Sequence, residues 1–495
     1  MNVQKSIKLA HTSSVFISVI INGLLVLALF TFITISDGMQ QDTSTVKVID
    51  PSEQEDIIEV EPEIEPEEVD PRELDDLLDF TLDTPMDTDF VQETEVVETV
   101  TETDVSSLSE LMTDVSSPVV MTGLLVGRTA SARKAAAAKY GKGLERFSEP
   151  AVMKALEWLR DHQHESGSWT QEGNTTGGGY NTGYTGLALL TFLAHGETPS
   201  SAEFGPTVAK AIRFLVENQG GNGIFQPAGG HTSYGHAMAT YALAEAYTMT
   251  ENPLLREPLQ RGVNVIMEGQ QPDGGFDYNY KKGDRNDLSV GGWNLQALKA
   301  AAIAGIDAKV PESLQRAMDG MLIGSAMQDG GRYFRYNANG GGANRTVSAA
   351  GTLGLHLSGR YKSKEAKESI QYLELYTGSD RLPEWSENDG AGGNINFWYY
   401  TVQAFFHENP EGRNFRRYMP AMVKALAQNQ APDGHWLFPS EGGIKRGKVF
   451  NTTLAALGLM VYYRYLPSTQ AENIQQPAGQ PVPEVDDSDE VGFEI

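Results

Sequence analysis

The chain has 495 residues, 40% of them hydrophobic, and no cysteine. It can therefore bury a sizeable core, while disulfides, thiolate metal sites and cysteine nucleophiles are excluded. The net charge of −28 sits in two stretches: Gln41 to Val120 carries 26 acids against Lys47 and Arg72, and the tail from Leu466 carries seven acids and no base. With no concentrated basic face in the remainder, no nucleic-acid partner is expected.

In chain order, a short tail (residues 1–14) precedes Val15 to Ile35, a 21-residue run whose polar members are Ser18, Asn22, Thr31 and Thr34. At 1.5 Å per residue it reaches roughly 32 Å, enough to span a bilayer. Residues 15–36 are therefore expected to form a single transmembrane helix in an inner membrane. Lys5 and Lys8 lie before it and acids after it, which puts the N-terminus in the cytoplasm and the rest outside, periplasmic in a bacterium.

Residues 37–120 are rich in Glu, Asp, Thr and Pro; like charges and prolines keep such a segment extended, and it reads as a disordered acidic linker. Within it, Asp75-Asp76-Leu77-Leu78-Asp79 matches the DDxxD pattern of magnesium-diphosphate sites, which in so acidic a stretch reads as chance. Residues 121–147 turn basic and alanine-rich, with Arg128, Arg133, Lys134 and Lys139, and read as a solvated lead-in helix. Residues 467–495 form a second disordered acidic tail.

Between these lies a repeat. Lys154 to Trp169 places Ala155, Leu156, Trp158 and Leu159 on one helical face and Glu157, Arg160 and Asp161 on the other, then stops at Ser166-Gly167. Lys210 to Phe225 and Arg261 to Phe276 repeat it, each with Gln, three residues, Gly, one residue and an aromatic. Gln430 to Trp436 keeps the ending, Met327 to Tyr333 lacks the glutamine, and a further copy has degenerated near Tyr372. Apolar helices rich in Ala, Leu and Gly alternate with these: Gly183–His195, Gly235–Tyr247, Trp293–Ala304, Val347–Leu357, Phe397–Phe406 and Asn451–Tyr462. Two-sided helices outside and helices buried all round inside, alternating six times, predict an all-α (α/α)6 ring of six helical hairpins over residues 148–466.

The pattern Lys-Ala-x2-aromatic-Leu-x3-Gln-x3-Gly-x-Trp, complete from Lys154 to Trp169, resembles the QW repeat of squalene and oxidosqualene cyclases. The whole segment looks like the α/α toroid shared by those cyclases, protein prenyltransferase β subunits and thioester-containing complement-type domains. The resemblance implies the fold. The cyclases' Asp-x-Asp-Asp acid is missing from residues 148–466, and without cysteine neither the prenyltransferase zinc site nor the thioester can form in its usual way. No cofactor and no metal site are expected.

In such a ring, the loops leading into the inner helices surround one mouth of a central cavity. Tyr184, His236, Asp287, Trp293, Arg345, Trp398 and Asn451 are the candidate ligand-binding residues on that rim; the same polar groups also suit the capping of inner-helix N-termini. No catalytic residue is assigned. The leading expectation is a membrane-anchored extracytoplasmic domain that binds a lipid, peptide or sugar ligand or an envelope protein partner. Two alternatives stand beside it. One is an enzyme, either a divergent terpenoid cyclase or an (α/α)6 carbohydrate-active enzyme using two of Asp284, Asp287, Glu384, Glu387 and Asp389, or one with His236 as a general base. The other is a TonB-like envelope-spanning structural protein.

Overall fold

The computed structural model describes residues 128–170, 181–226, 231–283, 286–328, 332–337, 343–378, 381–387 and 394–464. The expected membrane span, the acidic linker with its DDxxD match, the acidic tail, Asp284 and Asp389 lie outside the described residues. Among the described residues no helix is long and apolar enough to cross a membrane.

The chain enters through helix α1 (Ala130–Ala136), which continues as a wide π turn to Gly141. Six hairpins follow, each an outer helix and then an inner one. The outer set is α2 (Glu145–Asp161), α4 (Gly205–Glu217), α6 (Arg256–Gly269), α8 (Val310–Arg316, running on as a π helix to Ala326), α10 (Lys364–Glu374) and α12 (Arg413–Gln428). The inner set is α3 (Asn181–His195), α5 (Thr232–Thr250), α7 (Leu288–Ile303), α9 (Arg345–Leu357), α11 (Ile395–Glu408) and α13 (Glu441–Leu459). A last turn, α14 (Val461–Arg464), ends the described chain. A two-residue antiparallel pair, β1 (Met327–Gln328) with β2 (Tyr333–Phe334), occupies the place of the repeat copy that lacks its glutamine.

The two helix sets differ as their sequences require. In α3 every residue after Asn181 is buried, whereas α4 buries Val208, Ala211, Ile212 and Leu215, the i, i+3, i+4, i+7 stripe of a surface helix. Each inner helix packs against the next, and the sixth, α13, packs against the first, α3; of the outer helices, the last, α12, packs against the first, α2. The ring is closed.

The recurring glutamine fastens it. Gln163 Nε2 donates to the Gly167 carbonyl of its own turn (3.1 Å) and to the Thr207 carbonyl in the first turn of the next outer helix (2.9 Å). Gln219 does the same to Gly223 and Pro258, and Gln270 to Gly274 and Ser313. Where the glutamine is lost, arginines take over. Arg360 pairs with Asp319 beyond α8, and Arg417 of α12 donates to the Thr377 carbonyl beyond α10.

The end of the barrel where the inner helices finish is plugged by cations. Arg128, only 1% exposed, pairs with Glu245 at 2.8 Å and donates to the carbonyls of Leu193 and Arg464. Arg464 reaches the hydroxyls of Tyr241 (2.8 Å) and Tyr399 (3.3 Å). Positive charge near helix C-termini is favourable, because the unpaired carbonyls there form the negative end of the helix dipole. Arg128 is thus buried and Arg133 half-buried, contrary to the reading of the lead-in from sequence: Arg133 donates to the His195 carbonyl and lies 5.9 Å from the Tyr463 ring centre. The packed domain takes in the lead-in from Arg128 onward, a step the repeat pattern does not contain.

Candidate functional site

At the opposite mouth the N-terminal ends of the inner helices surround a cavity of about 600 Å3. Every inner helix lines it, through Tyr184 of α3, Tyr234 of α5, Trp293 of α7, Val347 of α9, Tyr400 of α11 and Phe450 of α13. A closed double ring of six hairpins around one central cavity settles the architecture. The chain is an α/α toroid.

Aromatic faces make up much of the toroid's cavity wall. Tyr234 and Tyr278 lie nearly parallel with ring centres 6.1 Å apart, His231 sits 4.6 Å from Tyr278, and Trp293 stacks on Tyr399 beneath it at 5.8 Å and 18°. Burial raises the Tyr234 hydroxyl well above the ordinary phenol range, with Asp287 adding to it. Tyr336 and Tyr400 are raised by burial too. These phenols stay protonated at neutral pH and can donate a hydrogen bond to a ligand. Asn344, Asn394, Asn396 and Ser289 supply the polar part of the wall.

One wall is a short arm. Residues 441–446 are helical, but Gly447 breaks the run with φ 77° and ψ 174°, a backbone state that side-chain-bearing residues rarely adopt. Asn451 then ties the arm back, its Nδ2 donating to the carbonyls of Gly443 (2.8 Å) and Gly447 (2.6 Å). The Tyr184 hydroxyl donates to the Arg446 carbonyl at 2.9 Å. Held in this way, Arg446 lines the cavity with one guanidinium nitrogen on the Gly442 carbonyl (3.0 Å) and its charge centre 5.7 Å from the Phe450 ring.

The seven residues expected on the rim divide. Tyr184 and Trp293 line the cavity. Asp287 stands behind the wall: it caps α7 by accepting from Ser289 N (2.9 Å) and takes the Tyr278 hydroxyl at 2.6 Å. Asn451 is fully buried and acts on the arm. Trp398, also fully buried, packs edge-on to Phe438 at 5.0 Å, away from the cavity. Arg345 turns over Phe397 at 4.9 Å, and Arg446 supplies the cavity's guanidinium instead.

His236 is a correction. It is fully buried, Nδ1 accepts from the Phe225 backbone N–H (3.3 Å), and Nε2 donates to the Gly262 carbonyl (2.9 Å). Both ring nitrogens are thus occupied, so the imidazole cannot serve as a base toward a ligand. Equivalent turns use hydroxyls: Thr185 accepts from Trp169 N, Thr452 from Trp436 N and Ser348 from Phe334 N. Burial pushes the His236 pKa down to about 4, so it is neutral at pH 7.

Tyr234, Tyr278, Tyr336, Tyr400 and Arg446 also line the cavity, and their local sequence does not single them out. The glycine-rich run Gly442-Gly443-Ile444-Lys445-Arg446-Gly447 was the available signal for the arm. Of the acids proposed for an enzyme, Glu384 and Glu387 are exposed, and among the described residues no carboxylate lines the cavity.

No family model and no curated protein match the chain. Among solved structures, the α-1,6-mannanase GH76A of Salegentibacter sp. HEL1_6 is similar with 14% identity and a TM-score of 0.48, over 64% of this chain and 98% of that one. A GH76 α-mannanase of Bacteroides thetaiotaomicron gives 11% and 0.45, over 64% and 95%. A type II terpene cyclase from Scytonema gives 12% and 0.42, over 67% and 99%. At identities this low, activity and ligand have to be argued from this chain's own residues.

Proposed function

We propose that this is a membrane-anchored extracytoplasmic binding protein whose toroid holds a polar organic ligand in its central cavity. Residues 15–36 anchor it, and the acidic segment 37–120 sets the reach of the toroid from the membrane. The cavity carries the reading: about 600 Å3, fed by all six inner helices and walled by aromatic faces with amides and hydroxyls between them. That volume falls in the roughly 300–1,000 Å3 range of small-molecule sites, and the mixture suits a ligand with both an apolar face and hydrogen-bonding groups. Binding without turnover is favoured because no carboxylate lines the cavity among the described residues, and Asp287 behind its wall is engaged as a helix cap and in a tyrosine hydrogen bond.

Isothermal titration of the detergent-solubilised full chain against short peptides, prenyl alcohols and neutral and acidic sugars tests the cavity. Expected is 1:1 binding by one class, weakened at least tenfold by Trp293→Ala, with the compound recovered unchanged. Conversion of a bound compound into product would overturn the binding-protein reading. For the anchor, the full chain should sediment with membranes and lose that association when residues 15–36 are deleted.

A further inference from the structure

Arg446 is the one permanently charged side chain among the described residues that line the cavity, and its partner set is unusual. Its hydrogen bond goes to the Gly442 carbonyl, and among the described residues no carboxylate pairs with it. At the other end of the barrel the buried Arg128 has Glu245 and two carbonyls. A guanidinium presents five donors in a planar fork, and among the described residues the Gly442 carbonyl is the hydrogen-bond acceptor of Arg446.

The surroundings match its sign. The cavity lies at the N-terminal ends of the six inner helices, the positive ends of their dipoles. Asp287, behind the wall, accepts from Ser289 N and from the Tyr278 hydroxyl and is not itself among the lining residues. Two further features show that Arg446 is placed rather than merely nearby. Gly447 turns the arm with its positive φ, and Asn451 and Tyr184 hold the backbone on either side of the guanidinium.

We infer that the ligand of this cavity is an organic anion whose carboxylate or phosphate is held by the Arg446 guanidinium, while its body lies against the aromatic wall of Tyr234, Trp293, Tyr400 and Phe450. Asn451 and Tyr184 act as positioning residues for that arginine. The inference rests on the cavity being a ligand site and adds the charge of what it takes. Fork-shaped pairing with an oxyanion also gives specificity: a neutral analogue of the same shape leaves the guanidinium without its partner.

The test uses probes that differ in charge and also quench tryptophan emission. The full chain is titrated with 4-nitrophenyl glucuronide, 4-nitrophenyl phosphate and the neutral 4-nitrophenyl glucoside, with a Trp293→Phe variant to identify the cavity signal. Expected is binding of at least one anionic probe about tenfold or more tighter than the glucoside. Whichever of the two is tighter separates carboxylate from phosphate. Arg446→Gln should bring the anionic probe down to the glucoside's level, and Arg446→Lys should recover part of the loss. Both variants should unfold at the wild-type temperature, since the side chain is on a surface arm. Equal binding of glucuronide, phosphate and glucoside, unchanged in Arg446→Gln, would overturn the inference and leave the cavity a ligand site. No quenching of Trp293 by any probe would overturn both. Release of nitrophenolate from the glucuronide, lost in Arg446→Gln, would uphold the anion site and overturn the reading of binding without turnover.

Discussion

Gln430 Nε2 donates to the carbonyl of Ala151 at 2.8 Å, across 279 residues of sequence, and so ties the last outer helix to the first. The same nitrogen also serves Gly434 at 2.8 Å within its own turn. One amide thus repeats, between the two ends of the ring, the bond that Gln163, Gln219 and Gln270 make between successive hairpins.

Removing these amides should weaken the fold unequally. Gln430 is partly exposed, and Gln430→Ala is expected to lower stability by roughly 1–2 kcal/mol, since water reaches part of what is left. Gln270 is 3% exposed and also accepts from Ser313 Oγ (2.8 Å) and Arg316 Nη2 (2.6 Å). Gln270→Ala strands two donors and two carbonyls and should cost more, about 2–4 kcal/mol. Urea unfolding of both variants checks the order; equal and negligible losses would show that packing alone closes the ring.

The glycine of the same turn is held for two reasons at once. Gly434 has φ 100°, and a Cβ built there would lie 2.1 Å from the Lys154 carbonyl oxygen of the neighbouring outer helix. Gly434→Ala therefore combines a left-handed backbone with a clash against main chain, which cannot rotate away. A loss of at least about 2 kcal/mol is expected. By contrast, Gly221→Ala in the second turn meets nothing within 4 Å and should change stability by about 0.5 kcal/mol or less. Thermal unfolding of the two proteins makes the comparison.

The pattern that reveals the ring in the sequence consists of local signals: an apolar stripe, a glutamine, a glycine stop. Their partners are distant, yet the repeat announces them because each copy must meet the next. The cavity is different. Tyr278, Tyr336 and Arg446 come from three separate stretches, and nothing about a tyrosine after a turn says that it faces inward. His236 shows the converse. A histidine in a glycine-rich loop resembles a site residue, but it occupies the place that Thr185 and Thr452 hold in sister repeats, and only the aligned turns disclose that. The Arg128 plug was hidden because a basic, alanine-rich segment looks solvated unless its buried acid, Glu245, is known.

His236 should make the fold acid-sensitive. Its folded pKa of about 4 lies below the ordinary histidine value near 6.5, so between those values the unfolded chain binds a proton that the native state refuses. Stability contributed by this group is present above pH ~6.5 and is lost as pH falls toward 4, up to roughly 3 kcal/mol. His356, with a pKa also near 4 from burial, adds a second term of the same sign. Urea midpoints measured from pH 7.5 to 4.0 should therefore decline. In His236→Thr, which restores the hydroxyl used in the sister turns, the decline should be shallower whatever that variant's stability at pH 7.5. An unchanged slope would mean that the imidazole gains protons in the folded state.

Arg128 and Glu245 supply the last prediction, which concerns where the domain begins. The pair is buried to 1% and 2% exposure, at 2.8 Å. Breaking it from either side leaves an ion without its counter-charge in a low-dielectric interior, which typically costs about 3–5 kcal/mol. Arg128→Met and Glu245→Gln should each destabilise on that scale, although the first lies in a lead-in that the repeat pattern excludes. The double variant removes both charges, and replacing a buried pair by neutral groups is often close to neutral. It should be more stable than the sum of the single losses allows, a coupling of at least about 1 kcal/mol in a double-mutant cycle. Additive losses would place the stabilisation in the contacts of Arg128 with the carbonyls of Leu193 and Arg464 instead. A full-length chain with Arg128→Met that unfolds like wild type would return the lead-in to solvent and move the start of the domain to α2.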